Sequence, residues 1–142
     1  MEIVKISDSG YPESLKNIPD PPKALYIEGV LPHGRNIAIV GTRKMTDFGK
    51  EMAAKVTKEL VKEGFIIVSG MALGVDGVAH QTALDNGGKT IAVLGAGVDV
   101  IYPPQHEKLY WEIINHGAVV SEVPLGQRVR SEERRVGKEC RL

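Results

Sequence analysis

The sequence predicts an α/β protein with a Rossmann-like, open and mainly parallel sheet and helices on both of its faces. Three observations favour this fold class. Short aliphatic runs alternate with helical segments along the 142 residues, and the connections between them are short. Sixteen glycines against only 5% aromatic residues are typical of tight turns between buried aliphatic strands. This alternation indicates a parallel sheet that is covered by helices.

The chain divides into a lead-in segment, residues 1–34, and a Rossmann-like core, residues 35–126. Glycines and prolines interrupt the lead-in segment, which contains two candidate strands over residues 3–6 and 24–28. The core begins with a strand over residues 36–40. A helix is predicted from the capping residue Thr46 to about residue 63. It carries one apolar stripe, formed by residues that recur every four positions: Phe48, Met52, Val56 and Leu60.

The remainder of the core repeats the strand–helix pattern. Strands are predicted over residues 65–69, 90–94 and 118–121, since each is a short, nearly continuous apolar run of the kind that is buried in a parallel sheet. Helices are predicted over about residues 76–84 and 104–115. More strands would be needed to complete such a sheet, so we expect the core to be incomplete.

The net charge of zero is the sum of two unlike parts. Residues 1–126 hold 12 Lys and Arg against 15 Asp and Glu, a net charge of −3, whereas residues 127–142 hold 6 against 3, a net charge of +3. A nucleic-acid site in the main body would therefore have to be local. Two interpretations of the charged tail, residues 127–142, stay open: a solvated helical tail, or sequence that is not native to the protein.

Other features indicate a soluble, cytoplasmic protein. The amino-terminal residues do not resemble a signal peptide, and no apolar run approaches the 18 or so residues that a membrane span requires. The single cysteine, Cys140, has no partner for an internal disulfide.

Four segments are expected at the carboxyl ends of the strands, where open parallel sheets bind ligands. They are Gly41–Lys44, Ser69–Asp76, Gly95–Gly97 and Ser121–Pro124. Gly70, Gly74 and Gly77 could let the backbone approach a phosphate at a helix N-terminus, although glycines also mark tight turns in any such sheet. Asp76 is interpreted as a helix cap. Arg43 would supply the positive charge, unless it is a surface arginine paired with a carboxylate.

No catalytic, metal or cofactor site is predicted. The glycine runs fit neither a P-loop nor a dinucleotide fingerprint, because Ala83 and Val100 occupy positions where those motifs need glycine. The four histidines have no ligand spacing. Ser69 and Ser121 have no evident base, and Glu122 is the one plausible general base.

At the four strand-end segments the sequence resembles the DNA-processing protein A family (DprA, also called Smf). The resemblance covers about residues 10–126 with matching order and spacing. It is carried by Tyr11-Pro12-x-x-Leu15, Pro21-Pro22-x-x-Leu25-Tyr26-x-x-Gly29, Ile37-Ala38-Ile39-Val40-Gly41-Thr42-Arg43, Ser69-Gly70-Met71-Ala72-x-Gly74-Val75-Asp76-x-x-Ala79-His80, Thr90-Ile91-Ala92-Val93-Leu94-Gly95-x-Gly97, Tyr102-Pro103 and Gly117-x-x-x-Ser121-Glu122.

The resemblance implies a homodimeric protein, not an enzyme, that binds single-stranded DNA and helps load the RecA recombinase in natural transformation, competence or DNA recombination. It implies DNA phosphate contacts by two loops, comprising Gly41, Thr42, Arg43, Ser69, Gly70, Met71, Ala72 and Gly74. Supporting loop residues would be Asp76, Gly95, Gly97, Ser121 and Glu122. The family's core continues with further strands, so this chain resembles its front part.

An enzyme remains the alternative. Phosphoribohydrolases use the same rim of a similar core to process nucleotides, and Glu122 would then be the general base. Those proteins carry a Pro-Gly-Gly-x-Gly-Thr element that this sequence lacks.

Overall fold

A six-stranded sheet organises residues 1–128, the part of the chain that the computed structural model describes. The strands are β1 (Glu2–Lys5), β2 (Ala24–Gly29), β3 (Asn36–Ala38), β4 (Ile66–Ser69), β5 (Thr90–Leu94) and β6 (Gly117–Ser121). Their order across the sheet is β1-β2-β6-β5-β4-β3. The four core strands β3 to β6 run parallel, whereas β1 pairs antiparallel with β2, and β2 pairs antiparallel with β6.

The helices lie on both faces of this sheet. They are α1 (Glu13–Lys16), α2 (Asp47–Lys62), α3 (Val75–Asp85) and α4 (Glu107–His116), the last preceded by a 3-10 turn over Pro104–His106. Side chains alternate along a strand, so neighbouring residues of β4 face opposite layers. Ile67 packs with α2 and α3, whereas Val68 belongs to the cluster that Leu15 of α1 and Tyr11 cover. A third cluster joins α4 to β5 and β6.

The predicted fold class is confirmed, and the predicted elements agree with the structure to within a few residues. The strand over 90–94 has its predicted bounds, and the helix predicted after Thr46 is α2. The Thr46 hydroxyl accepts a hydrogen bond from the Gly49 N–H at 3.0 Å, which is the geometry of an N-cap. The sequence pattern predicts neither α1 nor the antiparallel pairing of β2 with β6.

The apolar stripe predicted for α2 is not buried in this structure, which corrects that expectation. Phe48, Met52 and Val56 are 71%, 40% and 46% exposed. The helix packs instead through Thr57, which is fully buried, and through Leu60, the last residue of the stripe. The physical reason is that α2 packs mainly against α3 and only lightly against the sheet, so the first three side chains of the stripe are left uncovered.

Two predictions remain untested. The division into a lead-in segment and a core stays a prediction, although both contribute strands to one sheet. The interpretation of the charged tail, residues 127–142, concerns mainly residues 129–142, which lie outside the described part of the chain. Among residues 1–128, none of the helices is both long enough and apolar enough to cross a membrane.

Candidate nucleic-acid interface

An open cleft lies where the carboxyl ends of β3, β4 and β5 meet. Three of the four predicted segments contribute to it: the loop after β3, the loop after β4 and the loop after β5. The residues that line the cleft are Arg43, Gly70, Ala72, Leu73, Leu94, Gly95, Ala96, Val100, Tyr102 and Pro103. The fourth segment, Ser121–Pro124, follows β6 and is not part of this lining.

The loop that carries Arg43 is fixed against the start of α3 by its backbone. The Val75 N–H donates to the carbonyl oxygen of Thr42 at 3.1 Å. Gly74 has a φ of +85°, and a Cβ there would collide with the Thr42 carbonyl oxygen and lie 2.7 Å from that of Arg43. At Gly41, a Cβ would lie 2.9 Å from the Val75 side chain. These glycines are therefore required by loop packing, which holds Arg43 at the rim of the cleft.

Arg35 and Arg43, which lie before and after β3, have different surroundings. Arg35, before β3, places its guanidinium 4.4 Å from the centre of the Phe65 ring and donates to the Glu63 carbonyl oxygen at 2.6 Å. Arg43, after β3, is exposed and makes no ion pair within the described chain. The interpretation of Arg43 as a surface arginine paired with a carboxylate therefore finds no support here, and its guanidinium is positioned to meet an anion.

Most polar groups of the loop after β4 are used inside the protein. Ser69 is fully buried and its hydroxyl donates to the Ile39 carbonyl oxygen at 2.6 Å. Met71 is also fully buried, with a φ of +63°, and its carbonyl oxygen lies 2.8 Å from Nδ1 of His106. Ser69 and Met71 thus shape the loop from within, while Gly70 and Ala72 reach the wall of the cleft.

Asp76 is a brace for this loop, so its interpretation as a helix cap is wrong. The N-cap position of α3 is held by Gly74, without a side-chain capping bond. The Asp76 carboxylate is buried and accepts the Gly70 N–H at 3.0 Å. Burial raises the pKa of this carboxyl, and hydrogen bonds from the backbone of Gly70, Ala72 and Gly41 act in the opposite direction. Asp76 therefore joins the loops after β3 and β4.

The backbone N–H groups near the N-terminus of α3 also donate to acceptors within the protein. Besides the Val75 N–H, the Gly77 N–H donates to the Ala72 carbonyl oxygen and the Val78 N–H to that of Gly74, each at 3.2 Å. Together with the Gly70 N–H, these donors have acceptors within the protein. Phosphate contacts by the loop after β4 stay a prediction. Arg43, which is exposed, lies across the cleft lining from Gly70 and Ala72 of this loop.

The loops after β5 and β6 support one another. The Gly97 N–H donates to the Gln127 carbonyl oxygen at 2.9 Å, and the Gly126 N–H donates to Oδ1 of Asp99 at 2.8 Å. Ser121 is fully buried, and its hydroxyl accepts the Val123 N–H at 2.9 Å. Gly95 lines the cleft, whereas Gly97, Ser121 and the half-buried Glu122 lie outside its lining.

Sequence reasoning missed the apolar wall of the cleft. Leu73 and Val100 belong to no motif, and Leu94 and Pro103 belong to motifs but have the same aliphatic pattern as core residues, so none of the four was expected in the site. Tyr102, which is the one aromatic residue expected near the ligand edge, does line the cleft and is 54% exposed. No group of His, Cys, Asp and Glu side chains within residues 1–128 is arranged to hold a metal ion.

The fold and site define a Rossmann-like protein with a cationic cleft at the carboxyl edge of its sheet. The chain belongs to the family described as DNA recombination-mediator protein A, whose sequence model matches residues 2–134. It is 46% identical over 127 residues to protein Smf of Synechocystis and 40% identical over 124 residues to DNA processing protein DprA of Bacillus subtilis. Each match covers 85% of this chain, but only 32% and 42% of the respective relative.

Solved structures agree with this assignment. DNA processing protein A from Streptococcus pneumoniae superposes with a TM-score of 0.83 at 38% identity, over 92% of this chain and 47% of that one. The protein from Helicobacter pylori, for which a single-stranded DNA binding mode is described, superposes with a TM-score of 0.78 at 32% identity. That match covers 92% of this chain and 60% of the other. The chain thus spans less than two thirds of each of these proteins.

Proposed function

We propose that this chain binds single-stranded DNA at the cleft beside Arg43 and serves as a mediator of DNA recombination. The observation that carries the proposal is the exposed guanidinium of Arg43, which makes no ion pair within residues 1–128 and which the glycine-packed loops hold at the carboxyl edge of the sheet. The described single-stranded DNA binding of the Helicobacter pylori relative supports this choice of ligand.

The charge distribution favours a local contact over diffuse attraction. Residues 1–126 carry a net charge of −3, so the body of the protein repels nucleic acid on average. The contacts are then mainly with phosphates near Arg43, which predicts a clear dependence on salt and weak sequence preference.

The wider activity follows from the family. We propose that the protein acts in the cytoplasm in DNA recombination, including natural transformation, where it helps RecA assemble on single strands, and that the functional form is a homodimer. The role proposed is that of a binding protein rather than an enzyme. The alternative, a nucleotide-processing enzyme, loses support from the position of Glu122, which does not line the cleft.

Fluorescence anisotropy with a labelled oligothymidine of about 20 nucleotides tests the binding step, with a duplex of equal length for comparison. The single strand should bind more tightly, and Arg43→Ala should weaken binding about tenfold and lower the salt slope by about one unit. Lys62→Ala is the matched control, since it removes one exposed positive charge at the far end of α2. An Arg43→Ala protein that is folded and binds as tightly as the parent would contradict the proposal.

RecA loading needs its own assay. The lag before RecA hydrolyses ATP on single strands coated with a single-strand-binding protein should shorten when this chain is added, and Arg43→Ala should reduce the effect. An unchanged lag with a chain that binds DNA would remove the mediator role and leave the binding role intact.

A further inference from the structure

We infer that His106 is a positioning residue for the single-strand site. Through a hydrogen bond to Met71 it fixes the loop after β4 in the conformation that places Gly70 and Ala72 in the wall of the cleft. His106 itself does not line the cleft, so it acts through this loop and not on the DNA. The inference rests on the proposed function, because it names a residue on which that site depends.

The middle of the loop has a backbone conformation that needs support. Met71 has a φ of +63°, in the left-handed region that residues with a side chain rarely adopt. Its side chain is fully buried in the cluster that joins α4 to β5 and β6. Such a conformation persists only where the surroundings fix it. The residues on either side, Gly70 and Ala72, line the cleft, so a change at Met71 would move both of them.

Each of the three loop residues has a hydrogen-bond partner from a later part of the chain. Asp76 accepts the Gly70 N–H at 3.0 Å, and the Ala72 carbonyl oxygen accepts an N–H from the first turn of α3 at 3.2 Å. The Met71 carbonyl oxygen lies 2.8 Å from Nδ1 of His106. A carbonyl oxygen can only accept, so Nδ1 of His106 is the donor. His106 is therefore the partner that fixes the left-handed residue.

The imidazole ring of His106 packs tightly against α3. A Cβ added at Gly77 would lie 2.7 Å from Cε1 and 2.9 Å from Nε2 of His106. The ring thus fills the space that a side chain at position 77 would take. The absence of a side chain at Gly77 is what lets the ring lie close enough to α3 to reach the Met71 carbonyl.

The backbone of His106 connects a second wall of the cleft to the same point. His106 ends the 3-10 turn over Pro104–His106, and its N–H donates to the Pro103 carbonyl oxygen at 2.9 Å. Pro103 lines the cleft in the loop after β5. His106 therefore joins the loops after β4 and β5, both of which line the cleft together with Arg43.

Fluorescence anisotropy with oligothymidine measures the effect of His106 on binding. His106→Ala should weaken binding about three- to tenfold, since a hydrogen bond that fixes the loop is lost. His106→Asn should bind within about twofold of the parent, because the asparagine amide places an N–H donor as far from the backbone as Nδ1 of histidine. His116→Ala is the matched control: this histidine lies at the other end of α4, with Nδ1 3.1 Å from a carbonyl oxygen of its own helix.

Gly77→Ala tests the same contact from the side of α3. The new methyl group should displace the His106 ring and weaken binding to the level of His106→Ala. In the His106→Ala background the methyl group meets no ring, so Gly77→Ala should then cause no further loss. Additive losses would mean that the two residues act independently, and they would overturn the inference.

The order of the loop is measured without DNA by hydrogen exchange. The Gly70 N–H, which donates to Asp76, should exchange about three- to tenfold faster in His106→Ala than in the parent. The exchange should slow again in His106→Asn, which restores the donor. An unchanged exchange rate in His106→Ala would overturn the inference.

The outcomes separate the inference from the proposed function. A His106→Asn protein that binds as weakly as His106→Ala would overturn the inference and leave single-strand binding by the parent intact. A His106→Ala protein that binds as tightly as the parent would do the same. A folded parent chain that does not bind oligothymidine would overturn the proposed function and the role of His106 in it. Far-UV circular dichroism of each variant establishes that it is folded.

Discussion

Lowering the pH from 8 to 5 should destabilise the folded chain, with His80 responsible for the largest part of that loss. The imidazole is fully buried beneath the loop after β4. Thr90 uses its hydroxyl proton to donate to the Ile67 carbonyl oxygen at 2.7 Å, so Nδ1 of His80, 2.7 Å from that hydroxyl oxygen, must be the donor. Nε2 is then unprotonated, and it has no hydrogen-bond partner within residues 1–128.

The magnitude follows from the shift in pKa. Burial, and secondarily the electrostatic influence of His106, lowers the pKa of His80 from 6.5 to about 3. Below pH 6.5 the unfolded chain binds a proton at this residue and the folded chain does not, so stability falls as the pH falls toward 3. Each unit is worth about 1.4 kcal/mol, which gives a loss of about 2 kcal/mol at pH 5.

Urea unfolding followed by Trp111 fluorescence and circular dichroism, at pH 8 and pH 5, measures this loss. Because the raised pKa of Asp76 acts in the opposite direction, the decisive quantity is the difference between the parent and His80→Asn. The variant should be less stable at pH 8 but lose about 2 kcal/mol less on acidification. His116→Gln, which changes an exposed histidine, should behave like the parent. An equal pH dependence in parent and His80→Asn would refute the reasoning.

Three further predictions concern packing and the braced loop. Gly74→Ala should lower the free energy of unfolding by at least about 1–2 kcal/mol more than Gly87→Ala, because both residues have positive φ but of the two only Gly74 has no room for a Cβ. Gly74→Ala should also weaken single-strand binding. Urea unfolding of both variants and fluorescence anisotropy measure the two effects. Asp76→Asn should lower the free energy of unfolding by about 1–3 kcal/mol, since the NH2 that replaces one carboxylate oxygen cannot accept a hydrogen bond from the backbone N–H groups around it; equal urea midpoints would contradict it. Phe48→Ser should change stability by less than about 0.5 kcal/mol, whereas Leu15→Ala should cost about 2–5 kcal/mol; a large loss in the former would show that the α2 stripe is covered.

The features that sequence predicts well here are the ones with local causes. Thr46 starts α2 because its own hydroxyl accepts an N–H three residues later. The bounds of β5 were predictable because all five of its residues are buried, which leaves a continuous apolar run. The meeting of the loops after β3, β4 and β5 follows from parallel strands placed side by side.

The features that sequence could not predict depend on distant parts of the chain. Periodicity marks an apolar stripe on α2 but does not say whether anything covers it, and in this structure the buried side chain is Thr57. The glycine pattern suggested approach to a ligand, whereas Gly74 is required by the carbonyl groups of a loop about thirty residues earlier in the chain. The sequence predicts a cap at Asp76, whereas the fold of the preceding loop makes its carboxylate the acceptor of the Gly70 N–H. Such contacts leave no short-range signature.

The most direct test of single-strand binding at this cleft is a titration of the isotopically labelled 15.4 kDa chain with oligothymidine, followed by amide chemical shifts in two-dimensional NMR. The account predicts that the largest changes fall on Arg43, on residues 70–73 and on residues 94–103, and that Arg43→Ala suppresses them. Changes confined to the exposed stripe of α2 or to the outer face of α4, with the cleft amides unmoved, would contradict it.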